Sequence, residues 1–314
     1  MPVILKMLRL PNLLIVILSQ ILIRYYIILP HLQKMELQPA LQVPDFLLLV
    51  LATVLITAGG YFINDYFDVE ADRINKPKRY LVGRDISRGL VMIMYYALNA
   101  AAIAIGIYLA FRLGSFQVAL IFPLVIIMLW YYSSKYKRSM LWGNTVVAIL
   151  SGFVIYIVWL FEVFAMIRGG GELGVTSMEV FNTLRWFIWG FTSFAFYTTL
   201  IREIMKDTED MKGDAKTGAR TLPLVIGVKN TRVILFVLVL IGITALAYAQ
   251  YLLSLKGFVW AFWYLLFSVQ VLLIYNLILL VRAKESRYFR LMGRLMKVIM
   301  LAGIISMQFI HFDL

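Results

Sequence analysis

The sequence predicts an all-α integral membrane protein, a bundle of nine transmembrane helices. Of the 314 residues, 62% are hydrophobic and only 15% are charged, a composition too apolar for a soluble domain with a polar surface. The apolar stretches are about 20 residues long, which is the length that a helix needs to cross the hydrocarbon core. They lack the alternation of barrel strands, so the helix is the expected element and the bilayer the expected solvent.

Nine windows along the chain are apolar and long enough for one span each. The predicted spans are residues 3–28, 45–64, 90–111, 116–133, 142–164, 184–204, 231–252, 259–282 and 292–311. The chain contains no cysteine, so the bundle is expected to form without disulfides. We therefore expect residues 1–314 to form a single membrane domain.

The basic residues predict how this bundle is oriented. The formal net charge is +13, and most of the Lys and Arg residues lie on the face that also holds the N-terminus. This face comprises the connections 65–89, 133–141, 202–232 and 281–297. Cytoplasmic connections of membrane proteins carry an excess of Lys and Arg, so this face is predicted to be cytoplasmic. Because the charge is spread over several connections, nucleic-acid binding is not expected.

Two Asp-rich motifs with the same spacing follow the second and the sixth predicted spans. Their aspartates are Asp65, Asp68 and Asp72 in NDYFDVEADRINKPKR, and Asp207, Asp210 and Asp214 in KDTEDMKGDAKTGARTLP. Offsets of three and four residues place side chains on one face of a helix. Four predicted spans separate the motifs, so both emerge at the same face of the membrane. Helix packing at that face can bring them together.

The motifs predict a site for magnesium and a diphosphate. Two opposed carboxylate clusters repel each other unless cations lie between them, and oxygen ligands without a nearby His or Cys favour Mg²⁺ over zinc or copper. The two histidines, His31 and His311, fall on the other face. Mg²⁺ usually takes one or two carboxylates together with substrate phosphates. Solvated loop charge is the alternative interpretation of acidic residues, and the repeated spacing favours the metal site.

Basic residues near the motifs suit a diphosphate, whose negative charge grows as its bond to carbon breaks. Lys76, Lys78 and Arg79 follow the first motif, Lys206 and Arg220 flank the second, and YYSSKYKR forms the connection at 133–141. Ordinary topological charge is the alternative for any one of them. Arg9 differs because it lies inside the first predicted span, beside Pro11 and Asn12. A charge at such a depth usually faces a cavity in the bundle.

These motifs resemble those of the UbiA superfamily of intramembrane prenyltransferases. The signature of that family is NDxxDxxxD after the second helix and DxxxD after the sixth, and these patterns occur here at 64–72 and 210–214, within the two motifs at 64–72 and 207–214. RLPN at 9–12, DRINKPKR at 72–79, YSSKYKR followed by GN at 143–144, and GDAKTGARTLP at 213–223 extend the resemblance over nearly the whole chain. It implies a nine-helix bundle around a central cavity with a cytoplasmic cap, in which Mg²⁺ holds a polyprenyl diphosphate between the motifs.

The resemblance also implies roles for individual residues. The implied metal ligands are Asn64, Asp65, Asp68, Asp72, Asp207, Asp210 and Asp214. The implied catalytic residues are Asp68, Asp72, Asp210, Asp214 and Lys137. The implied substrate-binding residues are Arg9, Asn12, Asn64, Lys76, Arg79, Tyr132, Lys135, Asn144, Arg202 and Lys206, with either Lys135 or Lys137 on the diphosphate. Arg202 departs from the family pattern, because some members have Tyr at this position of YxxxKxxxDxxxD.

Within the family, the motif stretches are most similar to members that prenylate the hydroxyl of a glycerol-phosphate ether lipid. The expected partners are therefore a polyprenyl diphosphate, with geranylgeranyl diphosphate as first choice, a lipophilic acceptor and membrane lipids. Members with aromatic acceptors are the alternative, and YLVGRDIS at 80–87 differs from the RPIPSG-like run that is common there. A cation-coupled transporter is disfavoured because its site tends to lie near the bilayer midplane. A phosphatidyl-alcohol transferase is disfavoured because its compact DG and AR motif is missing.

Overall fold

The computed structural model describes residues 3–75, 77, 80–168, 178–283 and 286–314, and the regular structure in these ranges is helical. An isolated β-bridge joins Val82 and Ile86. The prediction of an all-α protein is confirmed. Lys76 and Arg79, two of the predicted substrate-binding residues, lie outside the described residues.

The helices follow one another through short connections. They are α1 (Val3–Met7), α2 (Leu10–Lys34), α3 (Val43–Phe67), α4 (Val69–Asn75), α5 (Arg88–Leu113), α6 (Phe116–Ser134), α7 (Trp142–Arg168), α8 (Met178–Lys216), α9 (Leu222–Leu255), α10 (Val259–Arg282) and α11 (Ser286–Asp313). A 3₁₀ turn, Tyr136–Arg138, connects α6 to α7. Single π turns lie within α2 at Ile23–Ile28 and within α10 at Leu266–Gln270.

Eight of the described helices are long and apolar enough to cross a membrane. These are α2, α3, α5, α6, α7, α9, α10 and α11. The predicted span at 184–204 lies inside α8, which has 39 residues and is not among the eight. Residues such as Thr192, Thr198 and Thr199 lower its hydropathy, and α8 packs against α7, α9 and α11. Neighbouring helices can accept such polar side chains, so the ninth span stays a prediction.

The first predicted span differs from the structure at its start. A continuous helix from residue 3 was expected, but the backbone breaks at Arg9, which has a left-handed φ of 50°. Pro11 begins the next helix well because its missing N–H is not needed in the first turn. The helix that follows, α2, then runs to Lys34. A left-handed backbone at a non-Gly residue is strained, and here it lies at the entrance to the Asp motifs.

The two motifs are carried by different kinds of backbone. α3 ends at Phe67, Asp68 forms its C-cap, and α4 continues after it, so the first motif spans a helix junction. The amide of Asp72 still donates to the carbonyl of Asp68 at 2.8 Å, which preserves one helical turn across the junction. The second motif instead lies within the uninterrupted helix α8. α4 packs directly on α8, and this contact brings the motifs together.

A buried ion pair closes the opposite end of the bundle. Arg24 and Glu162 lie 2.9 Å apart with side-chain exposures of 2% and 0%. Arg24 also donates to the carbonyl of Leu41 at 2.5 Å, and Glu162 accepts from the amides of Ala40 and Leu41 at 2.6 and 3.1 Å. Buried charges are tolerated when they are paired and hydrogen-bonded in this way. The network fastens the connection between α2 and α3 to α7.

Candidate active site

Both Asp motifs face one cavity of about 240 Å³ at a single end of the bundle. All six of their aspartates line it, together with Asn64. Cations line the same cavity from two other parts of the chain and from the start of the second motif stretch: Lys6, Arg9, Lys137, Arg138 and Lys206. The connection after α4 contributes Tyr80, Leu81 and Val82, so the stretch that departs from the family pattern forms part of the wall. The cavity therefore presents carboxylates and cations to the same space.

Lys137 lies directly against the first motif. Its Nζ donates to Oδ1 of Asn64 at 3.0 Å and to the carboxylate of Asp68. Asn64 in turn donates from Nδ2 to Asp68 at 2.9 Å. Burial opposes the charge on Lys137, but the neighbouring carboxylate of Asp68 prevails and raises the pKa of Lys137. The lysine is therefore a fixed positive charge in the cavity wall.

Arg9 reaches the motif from the strained junction before α2. Its guanidinium forms an ion pair with Asp65 at 2.5 Å and lies 4.9 Å from the ring centre of Tyr61. Burial disfavours the charged guanidinium, yet Asp65 outweighs this effect and raises the pKa of Arg9. Arg9 therefore places a second positive charge beside the first motif, on Asp65, as Lys137 does on Asp68.

An asparagine clamps the two motifs to each other. Asn75, the last residue of α4, donates from Nδ2 to the carbonyl of Asp210 at 2.9 Å, and its Oδ1 accepts from the amide of Gly213 at 2.8 Å. A Cβ on Gly213 would lie 2.6 Å from Cγ of Asn75, so only glycine allows this approach. The clamp sets the position of Asp72 on α4 relative to the carboxylates on α8.

The second motif carries negative charge that the protein compensates only in part. Burial raises the pKa of Asp207 to about 7, although Asn144 donates a hydrogen bond to it at 2.8 Å. Burial and then repulsion by Asp210 raise the pKa of Asp214 to about 6. Lys206, one residue before the motif, lies 3.7 Å from Glu203, which raises the pKa of the lysine.

This donor set fits magnesium. Within the described ranges, no three His, Asp or Glu side chains converge closely enough to hold an ion by themselves. The carboxylates instead line two walls of one cavity, which suits a cation that takes one or two of them and completes its shell with water and phosphate oxygens. The raised pKa values of Asp207 and Asp214 indicate carboxylates that a cation would stabilise in their charged form.

The structure places the remaining predicted site residues around this cavity. Asn144 lies behind Asp207, and Tyr132 is buried within electrostatic range of Lys137. Lys135 is exposed at the end of α6 and does not line the cavity, so of the two lysines left open by the sequence, Lys137 is the one beside the first motif. Arg202 lies outside the cavity lining and forms an ion pair with Glu203 at 2.5 Å.

Some residues of the site were not singled out from the sequence. Asn75 and Gly213 lie inside the quoted motif stretches. For Asn75 a signal was available in the sequence, because it is followed by Lys-Pro at the end of α4. Lys297, which donates from Nζ to Oδ1 of Asn12 at 3.2 Å, was assigned only to a predicted span. A lysine inside an apolar helix is itself a signal, because charges at such positions usually face a cavity.

Comparison with known proteins identifies similar sequences. Residues 35–301 match the UbiA prenyltransferase family. The chain is 35% identical over 193 residues to the digeranylgeranylglyceryl phosphate synthase of Methanoculleus marisnigri, covering 62% of this chain and 61% of that protein. It is 32% identical over 254 residues to the protein of the same name from Korarchaeum cryptofilum, covering 81% of each. The matched region thus spans about three fifths of one relative and four fifths of the other.

Solved structures share the fold. A UbiA homologue from Aeropyrum pernix K1 superposes with a TM-score of 0.64 at 18% identity, over 97% of this chain and 98% of that one. A structure concerned with digeranylgeranylglyceryl phosphate synthase in membranes gives 0.59 at 24% identity, over 98% of each chain. A UbiA homologue from Archaeoglobus fulgidus bound to DMAPP and Mg²⁺ gives 0.55 at 16% identity, over 98% and 99%. These likenesses describe the architecture alone.

Proposed function

Because the chain belongs to the UbiA prenyltransferase family and is an integral, multi-pass membrane enzyme, we propose a specific reaction for it. It transfers the prenyl group of a polyprenyl diphosphate, with geranylgeranyl diphosphate as first choice, to the hydroxyl of geranylgeranylglyceryl phosphate, with Mg²⁺ as cofactor. One observation carries this proposal: two Asp motifs and the cations Lys137 and Lys206 line the same cavity. Relatives at 30–35% identity named digeranylgeranylglyceryl phosphate synthase support the acceptor.

The proposed metal ligands are the residues of the two motifs. Asn64, Asp68, Asp72, Asp210 and Asp214 would hold Mg²⁺, with Asp65 and Asp207 in support. When bound, the metal supplies positive charge that binds diphosphate oxygens and neutralises the leaving group. UbiA homologues from Archaeoglobus fulgidus bound to DMAPP or GPP together with Mg²⁺ support both the donor class and the metal.

The residues of the chain act on the charge that develops in the reaction. Lys137, Lys206 and Arg9 bind the diphosphate and stabilise the negative charge that accumulates on its leaving oxygen. The bond between C1 and that oxygen breaks, and the allylic carbon is attacked by the acceptor hydroxyl, whose oxygen forms the new ether bond. The hydroxyl proton passes to the released diphosphate or to a carboxylate of the site. No protein nucleophile is required, because the acceptor supplies the attacking electron pair.

The predicted orientation belongs to the same proposal. The Asp-motif end of the bundle faces the cytoplasm and is covered there by α4, the 3₁₀ turn and the extension of α8, and α8 is the ninth span. The excess of Lys and Arg in the connections at this end supports the orientation. The carboxylates also lie at helix ends, which argues against the transporter alternative, whose sites lie near the midplane.

An acceptor screen tests the proposal. Purified protein is incubated with Mg²⁺ and geranylgeranyl diphosphate, and with either geranylgeranylglyceryl phosphate or 4-hydroxybenzoate, and products are identified by mass spectrometry. We expect an ether lipid and stoichiometric diphosphate release, both abolished by EDTA and by Asp68→Asn or Asp210→Asn. A prenylated aromatic as the main product would overturn the acceptor. Full turnover by either variant would overturn the metal site.

A further inference from the structure

A second group of polar residues lies beside the cavity, and we name it the headgroup cluster: Asn12 on α2, Arg202 on α8 and Lys297 on α11. Lys297 donates to Asn12 at 3.2 Å. α8, which carries Arg202, packs against α11, which carries Lys297, and Lys297 lies within electrostatic range of Arg202, Arg9, Glu203 and Lys206. None of the three cluster residues lines the Asp-motif cavity. The cluster is therefore adjacent to the donor site but separate from it.

Two of the three cluster residues are cations, and only Arg202 has a carboxylate partner among the described residues. Arg202 and Lys206 share the carboxylate of Glu203, at 2.5 and 3.7 Å. Arg9 is paired with Asp65. Lys297 has an amide oxygen as its partner, and no carboxylate of the described residues lies within ion-pair distance of its Nζ. A charged lysine in an apolar helix is costly unless it faces a cavity or a ligand, so an anion is the missing partner.

A small apolar cavity of about 50 Å³ lies between the same three helices, α2, α8 and α11, with α7 forming the rest of its wall. On each of the three helices the polar residue and the cavity-lining residues share one face. Ile15, Val16 and Ser19 follow Asn12, Met300 and Ile304 follow Lys297, and Thr198 and Ala195 precede Arg202, at offsets of three, four and seven residues. Such offsets align side chains along one side of a helix. A molecule with an anionic head and a hydrocarbon chain matches this succession of polar and apolar wall.

The spacing along α8 relates the cluster to the donor site. Arg202 lies four residues before Lys206, and Asp210 lies four residues after it, so the three side chains follow one another along one side of the helix. One helical turn rises about 5.4 Å. A phosphate at Arg202 therefore lies about one turn from a diphosphate at Lys206, which is short enough for a hydroxyl on the same glycerol to reach the donor carbon.

We propose that Asn12, Arg202 and Lys297 bind the phosphate monoester of the acceptor, with its hydrocarbon chain beginning at the apolar wall that the same three helices form. This inference rests on the proposed function and adds the feature that selects the acceptor. It also assigns a role to Arg202, which stands where some family members have Tyr. An aromatic acceptor such as 4-hydroxybenzoate offers a singly charged, planar carboxylate instead of a phosphate monoester, so the cluster distinguishes the two classes of acceptor by the charge and shape of the anionic group.

The test compares two acceptors that differ only in the phosphate. Initial rates are measured in phosphatidylcholine nanodiscs, in phosphate-free buffer, with geranylgeranylglyceryl phosphate and with geranylgeranylglycerol. For Lys297→Met we expect the preference for the phosphorylated acceptor, as a ratio of kcat/KM, to fall by about ten- to a hundredfold, because one charge-assisted hydrogen bond to the phosphate is lost. The KM for geranylgeranyl diphosphate is expected to change less than about twofold, because the variant keeps every contact to the donor. Loss of a charged contact to the donor would change this KM by about tenfold or more.

Two further variants keep this test decisive. Lys297→Arg preserves the charge and is expected to restore most of the preference, which a merely structural role would not require. Arg294→Met removes a charge from an exposed position of the same helix and serves as the matched control, with the wild-type preference expected. Elution of all variants as monodisperse species in detergent reports folding. An unchanged preference in Lys297→Met, with normal transfer by the wild type, would overturn the inference alone.

The remaining outcomes separate other sources of the anion. If the effect of Lys297→Met appears only after inorganic phosphate or phosphatidic acid is added, the cluster binds free phosphate or bulk lipid, and the acceptor assignment is overturned. If the wild type releases no diphosphate with either acceptor, the proposed function fails instead. These results are distinguishable because diphosphate release is measured in every arm of the experiment.

Discussion

The clamp between Asn75 and Gly213 makes a strong prediction about activity. In Gly213→Ala the new Cβ would lie 2.6 Å from Cγ and 2.7 Å from Oδ1 of Asn75, so the asparagine must move. Its two hydrogen bonds, to the carbonyl of Asp210 and from the amide of Gly213, are then lost. At about 1 kcal/mol each they sum to about 2 kcal/mol. Replacing a helical Gly by Ala returns about 1 kcal/mol, so the net loss of stability is small.

The effect on catalysis is expected to be much larger. Displacement of Asn75 moves α4, and with it Asp72, relative to the carboxylates of α8, and a misplacement of about 1 Å can cost about a hundredfold in rate. We therefore expect kcat/KM of Gly213→Ala to fall about a hundredfold, measured as diphosphate release from geranylgeranyl diphosphate. Asn75→Ala, which removes the clamp without a clash, is expected to share this loss.

The same helix offers a matched control. At Gly190 a Cβ would meet nothing within 4 Å, so Gly190→Ala is expected to retain wild-type kcat/KM and to gain about 0.5–1 kcal/mol of helix stability. If Gly213→Ala kept its kcat/KM within about twofold, when a misplaced group should cost about a hundredfold, the clamp would not set the geometry of the site. Equal losses in both glycine variants would instead indicate a general intolerance of α8 to larger side chains.

Three further predictions follow from other contacts. Lys137→Met removes the cation beside Asp68 and is expected to lower kcat by at least about a hundredfold, as for a lost electrostatic stabiliser, measured by diphosphate release. Glu162→Gln leaves the buried Arg24 unpaired and is expected to lower the free energy of unfolding by about 3–5 kcal/mol, measured by thermal melting in detergent. Because the chain has no cysteine, single-Cys variants labelled with an impermeant maleimide report topology. Lys216→Cys should be labelled in inside-out vesicles, and Gln33→Cys should be labelled in right-side-out vesicles.

Each of these predictions has an outcome that contradicts it. Wild-type kcat in Lys137→Met would remove the lysine from the diphosphate site. The paired variant Arg24→Met with Glu162→Leu is expected to recover only part of the lost stability, because it removes the unpaired charge but leaves the amides of Ala40 and Leu41 and the carbonyl of Leu41 without these partners; a further loss would contradict an unpaired charge as the main cost of Glu162→Gln. Labelling of both single-Cys variants from the same side would contradict the proposed orientation.

Much of the site was predictable because it depends on the period of the α-helix and on whether the number of spans between the two motifs is even. Offsets of three and four residues place carboxylates on one helix face, and an even number of spans between two motifs returns the chain to the same end of the bundle. Both rules depend only on the order of residues. The structure accordingly brings all six aspartates of the motifs to one cavity. The proline at position 11 also carried a helix-start signal, which a hydropathy window does not register.

Contacts between distant segments were not predictable in this way. Arg24 and Glu162 are 138 positions apart, and Asn75 and Gly213 are also separated by 138. Nothing local distinguishes their pairing from many others, because the partner is set by how helices pack and rotate. The choice between Lys135 and Lys137 depended on the conformation of a short turn between α6 and α7. Local sequence rules therefore do not predict contacts that depend on how distant helices pack against one another.

In α8, polar residues of the candidate site lower the hydropathy by which a transmembrane helix is recognised. At intervals of four residues it carries Thr198, Arg202, Lys206, Asp210 and Asp214, and these polar side chains lower the hydropathy of the helix. Its other side is apolar and open, with Trp189 54% exposed. A helix that turns its polar side towards other helices and its apolar side outward suits a lipid environment, whatever its mean hydropathy. Thr198 and Arg202 lie inside the predicted span at 184–204, where together with Arg185, Thr192 and Thr199 they lower its hydropathy. The same stripe continues beyond that span through Lys206 to the carboxylates of Asp210 and Asp214.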